Sequence, residues 1–144
     1  MSVTPTGIIN VTGISTGAAY ADLDAVGTTA ITISVPNSGI IHSDQYFNLD
    51  DDGLAVDLWL FDTAPAAQTD NSAFAVTDAE LQTVIGVISF SSFNDANTGQ
   101  VSTANGLNLS YRSLGGEIYA QVQARGALNI AASNLPTFRL MILP

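Results

Sequence analysis

The chain has no cysteine and no lysine, and its only cationic side chains are Arg112, Arg125 and Arg139. Without cysteine there is no disulfide framework and no thiolate chemistry, and the redox compartment leaves no trace. Without clustered Lys and Arg there is little to neutralise phosphate, which argues against nucleic acid or an anionic membrane as partner. Charged residues are 11% of the chain, against about 25% in typical soluble domains. The surface must then be built from Ser, Thr, Asn, Gln, Gly and apolar area, a composition suited to a protein that is covered by a partner. The 13 acids leave a formal charge of −10, which serves solubility or steers toward a basic partner. Absent lysine also removes the usual protection of exposed strand edges, so edges must be hidden by loops, by acids or by another subunit.

Long apolar runs are missing too. No stretch reaches 18 residues, so no membrane span is expected. The opening MSVTPTG has no basic segment followed by an apolar run, so no signal peptide is expected. The 144 residues suit one domain.

What is present is alternation. Leu54–Phe61 sets Leu54, Val56, Leu58 and Leu60 on one face and Ala55, Asp57, Trp59 and Phe61 on the other. Only Asp57 is polar, so this reads as a central strand covered on both sides. Thr29–Val35 turns Ile31, Ile33 and Val35 inward, and Pro36–Gly39 is a turn. Ile40–Leu49 reads as a strand with Tyr46, Phe47 and Leu49 in the core, followed by an Asp50–Gly53 turn. Val84–Phe93 is a strand with Gly86 as a bulge or close-packing point. Leu107, Leu109 and Tyr111 alternate with polar residues. Glu117–Arg125 alternates strictly, with Ile118, Ala120, Val122 and Ala124 inward and Tyr119, Gln121 and Gln123 on a solvent face. Phe138, Leu140 and Ile142 form the inner face of a last strand.

Between these lie three irregular stretches. Residues 1–28, broken by Gly7, Gly13, Gly17 and Gly27, read as an N-terminal arm, with Ile8–Val11 able to pair as a strand. Residues 62–77 form a loop longer than a hairpin needs, expected to cross between sheets or make a contact, with Phe74 as its anchor. Thr77 and Glu80 match a capping box, so one short helix is expected over Asp78–Thr83. Asn94–Asn105 reads as a polar tip. Eight or nine short strands without a repeated βαβ unit predict an all-β, antiparallel two-sheet sandwich of jelly-roll type, with a single domain over residues 29–144 after the arm.

No motif carries convincing chemistry. His42, Ser43 and Asp44 are consecutive, and neighbouring strand residues point to opposite faces, so they cannot converge as a triad. Asp50, Asp51, Asp52 and Gly53 lack EF-hand spacing, and turn chemistry accounts for them. Asp57 is expected to be tied to a backbone amide or to one of the three arginines. No catalytic residue, metal ligand or cofactor is assigned. The candidate contact residues are Trp59, Phe74, Tyr119, Arg112 and Arg125, aromatics and arginines being enriched where proteins meet.

The stretch DLWLFDTAP…TDNSAFAVTDAEL…VIGVISF, Asp57 to Phe90, has a strand ending in aromatic-Asp-x-x-Pro. Asp-Asn-x-x-Phe, a short acidic turn and a glycine-containing strand follow. This pattern resembles the jelly-roll cement (head-decoration) proteins of tailed phages and covers about a quarter of the chain. The resemblance implies a non-enzymatic protein on the outer surface of the virion capsid. Its partners would be the major capsid protein and further copies of itself, as a homodimer or homotrimer. The N-terminal arm, the 62–77 loop and the 94–105 tip are then expected to carry the contacts, and deleting residues 1–28 to abolish capsid binding while sparing the fold. The alternatives are a carbohydrate- or receptor-binding virion module, favoured by an exposed Trp59 or tyrosines in a shallow groove, and a β-sandwich hydrolase. The hydrolase needs Asp57 or Glu117 to face a second carboxyl.

Overall fold

The computed structural model describes residues 2–14, 18–131 and 134–144; Gly17, read above as a breaker of the arm, lies outside them. The elements run β1 (Thr4–Pro5), β2 (Ile9–Asn10), β3 (Ala25–Ser34), β4 (Ser38–Asn48), β5 (Val56–Phe61), α1 (Asp78–Leu81), β6 (Val84–Phe90), β7 (Asn94–Asp95), β8 (Gln100–Arg112), β9 (Glu117–Ala124) and β10 (Thr137–Leu143). Sheet I has the order β1-β10-β4-β8-β7, with β2 also on β10, and sheet II has the order β3-β9-β5-β6. All of the strand pairs are antiparallel. Six of the nine strand-to-strand connections pass from one sheet to the other, which interleaves the chain between the two antiparallel layers of a β-sandwich, as the jelly-roll expectation requires.

The alternation in the sequence builds the core directly. In β5, Val56, Leu58 and Leu60 are at most 1% exposed. Full burial of such side chains contributes about 1.5–3 kcal/mol each. Ile118, Ala120, Val122 and Ala124 of β9 lie beside them on the same face, and Phe138, Leu140 and Ile142 of β10 join the core from the other sheet. Tyr46 stacks on Phe138 at 5.0 Å, and Phe90 lies 5.7 Å from each. Gly86 is the expected close approach: a Cβ there would come within 2.8 Å of Leu109 Cδ1 on β8, so glycine lets the two sheets close along that side.

Several expectations are corrected. Tyr46 is core, but Phe47 is half-buried and Leu49 is 42% exposed. Strand parity decides this, since a residue next to an inward one points outward. Asp44, Tyr46 and Asn48 share the inner face of β4 instead. The polar tip shrinks to the residues between β7 and β8, because Gln100–Asn105 pairs with β4. The Asn105-Gly106 dipeptide marks a bulge, not a loop: two residues of β4 step from Ile41 to Ser43 while β8 runs from Leu109 to Asn105, with positive φ at Gly106 and Asn108. β3 starts at Ala25, so residue 28 falls inside a strand.

Residues 1–28 also feed the core. Ile9, Val11, Tyr20, Ala25 and Val26 are all buried, and Thr4–Pro5 and Ile9–Asn10 pair with β10. Deleting this segment would open the core and cut β3, so it is not the fold-sparing deletion expected. Gly27 shows how tightly the segment is seated. Its φ is +89°, and a Cβ would lie 2.6 Å from the Thr12 carbonyl oxygen.

Candidate functional site

The two outer faces of the sandwich are unlike. On sheet II, β9 and β5 place Gln121 beside Trp59 and Gln123 beside Asp57. The sequence assigns Gln121 and Gln123 to solvent, yet they are 4% and 8% exposed. The cause is the 62–77 segment. It joins the neighbouring strands β5 and β6 without crossing between sheets, and it folds back over their face as a strap.

Every part of the strap is tied. Gln121 Nε2 donates to the Ala66 carbonyl at 2.8 Å, and Gln68 closes the strap on itself through both the N–H and carbonyl of Ala75. Phe74 lies 5.2 Å from Trp59, whose indole N–H donates to Gln123 Oε1 at 3.1 Å. At the far side the strap adds to the edge of β3. Gln68 N–H donates to the Thr28 carbonyl, Asn71 N–H to the Ala25 carbonyl, and Ala25 N–H to the Ser72 carbonyl. Asp70 Oδ1 accepts from Gly27 N–H at 2.7 Å and from the Tyr20 hydroxyl at 2.8 Å. The expected capping box closes the other end, with Thr77 as N-cap of α1. Glu80 accepts from Ala66 N–H at 2.6 Å and from Thr77 N–H and hydroxyl at 2.8 Å. These bonds, the Ala66 one foremost, hold its carboxyl below its ordinary pKa.

Beside the strap is an open cleft of about 460 Å³ lined by Asp22, Asp57, Ser89, Phe90, Ser91 and Arg125. The expected tie of Asp57 is made here: Arg125 Nη1 lies 3.6 Å from Asp57 Oδ2, and Arg125 Nε lies 3.8 Å from Asp22 Oδ1. Both carboxylates are thus turned to one guanidinium. Glu117, the other hydrolase candidate, accepts from the Tyr119 hydroxyl at 3.3 Å.

Sheet I has no strap. On its three long strands the outward positions are Ser38, Ile40, Ser43, Gln45 and Phe47 on β4, Val101, Thr103, Asn105, Ser110 and Arg112 on β8, and Thr137, Arg139, Met141 and Leu143 on β10. None is Asp or Glu, although the chain carries 13 acids. Arg139 lies over Phe47, 5.7 Å from the ring centroid, and donates through Nε and Nη2 to Gln45 Oε1 at 3.1 and 2.6 Å. Ile40 is 38% exposed, and Leu49, just past β4, helps form an apolar hollow of about 300 Å³ with Phe47 and Val101. Six of the 13 acids lie on the other side, Asp57 and Glu117 on sheet II and Asp62, Asp70, Asp78 and Glu80 in the strap and α1, while Asp95 of β7 stands at the edge of sheet I.

The candidate contact residues therefore divide. Trp59, Phe74, Tyr119 and Arg125 belong to the strapped side, where Trp59 and Phe74 are spent on each other and Arg125 on Asp22 and Asp57. Arg112 stands exposed at the end of β8 on the bare side. The bare face itself was missed. Ile40, Met141 and Val101 look like ordinary strand residues in sequence, and nothing there tells which sheet surface is left open.

His42, Ser43 and Asp44 diverge as expected: His42 is exposed at the β4 bulge and Asp44 is 0% exposed beneath the sheet. No side chain pairs with the Asp44 carboxyl; burial raises its pKa well above the ordinary value, and the backbone N–H groups of Gln45 and Arg139 offset this only in part. Asp50–Asp52 does the turn chemistry expected. Asp52 Oδ1 accepts from Asn48 Nδ2 and Leu54 N–H, and the Asp50 carboxylate accepts from Ala131 N–H and Asn134. Among the described residues no helix is long and apolar enough to cross a membrane.

Compared with protein-family models, curated proteins and solved structures, the chain finds no match.

Proposed function

We propose that this chain is a cement protein of a tailed-phage head. It lies on the outer surface of the major-capsid lattice as a homo-oligomer, bridges neighbouring capsid subunits and stiffens the shell, without catalysing a reaction. The observation that carries this reading is the inequality of the two faces. One is closed by the chain's own strap and bears six acids, while the other is uncovered and partly apolar, with no carboxylate at the outward positions of β4, β8 and β10. An uncovered sheet face with two arginines and scattered aliphatics suits docking over an extended surface better than it suits gripping a small substrate. The sequence resemblance over Asp57–Phe90 points to the same class of protein.

Cementing then works by mass action. A protein that binds the assembled lattice and not free capsid subunits shifts the balance toward the lattice. The acidic, strapped face is turned away from the shell. Trp59 packed against the tilted ring of Phe74 counts against the carbohydrate-binding alternative, which needs an open aromatic platform.

The test is co-sedimentation of the purified protein with tailed-phage capsids assembled without it. The expected result is saturation at a fixed copy number relative to the major capsid protein, and its loss in the double variant Ile40→Asp/Leu49→Asp, which keeps the wild-type melting temperature. A protein that stays in the supernatant at all capsid concentrations overturns the reading.

A further inference from the structure

The strap protects only half of β3. Its last tie to that edge is the Thr28 carbonyl. From Ile31 to Ser34 the strand pairs with β9 alone, Ala30 closing the bulge that precedes them, and no backbone or side-chain group bonds to the free side of this stretch among the described residues. An edge strand normally carries a lysine, a proline or an inward charge against unwanted pairing. With Ala30, the free stretch here reads Ala-Ile-Thr-Ile-Ser.

The neighbourhood is equally bare of charge. Thr6–Asn10 and Ile31–Ser34 wall a groove of about 370 Å³, and Ile8 on its rim is 54% exposed. The groove runs on past Thr6 and Ser34 into a second hollow of about 240 Å³ that includes Pro5, Val35 and Ile142. There is no Asp, Glu, Lys or Arg from Ser2 to Ala21 or from Ala25 to Ser43. In a chain of formal charge −10, this flank is where a copy of the same chain can approach without bringing carboxylates together.

We infer that a second copy of this chain pairs with the first along β3, antiparallel about a two-fold axis, joining the two four-stranded sheets II into one. The register follows from the faces. Residues opposite each other across an antiparallel pair lie on the same face, and Ile31 and Ile33 point inward while Thr32 and Ser34 point outward. A two-fold that uses Ala30 and the whole free stretch passes through Thr32. It sets Thr32 against Thr32 of the second copy, Ile31 against Ile33, and Ala30 against Ser34. Threonine pairs and β-branched pairs are favourable across strands. Glu117, which lies opposite Ser34 on β9, then falls at opposite ends of the interface in the two copies. This deepens the homo-oligomer part of the proposed function and stands independently of the capsid part.

The experiment uses the purified full chain without capsids. Light scattering and sedimentation equilibrium should give twice the chain mass of 14.9 kDa. Thr32→Asp puts two carboxylates face to face on the axis and should weaken the dimer by at least about tenfold, giving the monomer mass with unchanged circular dichroism. Because the chain has no cysteine, Thr32→Cys supplies a single thiol. Oxidation should then cross-link the Thr32→Cys variant and leave the Ser89→Cys variant, on the edge strand β6, uncross-linked. A monomeric wild type overturns the inference, as does a dimer that survives Thr32→Asp or a Ser89→Cys variant that cross-links in preference. Capsid binding by a monomeric wild type would reject the dimer and leave the cement reading intact.

Discussion

The ring of Phe74 lies 5.2 Å from that of Trp59 at an interplanar angle of 36°. One residue sits in the strap and the other in the centre of sheet II, so this contact is where the 62–77 segment closes over the sandwich. Trp59 is the chain's only tryptophan, which makes its fluorescence a direct reading of strap closure.

Phe74→Ala should loosen the strap while sparing the between-sheet core, since Phe74 is half-buried and outside the main cluster. A tilted aromatic pair is worth about 0.5–1.5 kcal/mol beyond its buried area. The expected outcome is red-shifted Trp59 emission and a loss of about 1–3 kcal/mol in urea unfolding. Unchanged emission would mean that the strap stays closed without its anchor.

Acid should open the same strap. Glu80 is held below its ordinary pKa by the Ala66 and Thr77 bonds, so the folded state favours its charged form. That contribution is complete above the unfolded carboxylate pKa and is lost as pH falls through the lowered folded value. Trp59 emission is expected to shift at low pH, and Glu80→Gln should show the shifted emission already at neutral pH. A variant with wild-type emission at every pH would remove Glu80 from the tie.

Asp44 predicts the opposite slope. Burial raises its folded pKa, so the folded state favours the protonated carboxyl. Stability is then greatest below the unfolded pKa and declines as pH rises toward the folded value. Asp44→Asn should therefore raise the melting temperature at neutral pH, with a gain that vanishes near pH 3. Each unit of displacement corresponds to about 1.4 kcal/mol. Thermal melts of both proteins across pH check this, and a gain independent of pH would refute the titration argument.

The alternating segments made the sandwich legible in advance. Val56, Leu58 and Leu60, or Phe138, Leu140 and Ile142, can be buried on one side only as strands, and the turn residues between them leave no room for βαβ units. The capping box at Thr77 and Glu80 was equally legible, because both partners lie within one turn of chain. Phe47 and Leu49 misled because an apolar residue on an outward position looks the same in sequence as one in the core. Gln121 and Gln123 misled in the reverse direction: period 2 sends them to the outer face but cannot say that a strap from elsewhere covers that face.

By itself, the sequence determined the strand periodicity, the helix cap, the shortage of cations and the absence of thiol chemistry, because these follow from residue type and spacing over a few positions. Tertiary structure alone decided which sheet face is strapped and which is bare, that Asp44 is buried without a cationic partner while Asp57 meets Arg125, and that the edge of β3 is covered only as far as Thr28. These depend on contacts between residues dozens of positions apart, and such contacts exist only once the two sheets have chosen their strand order.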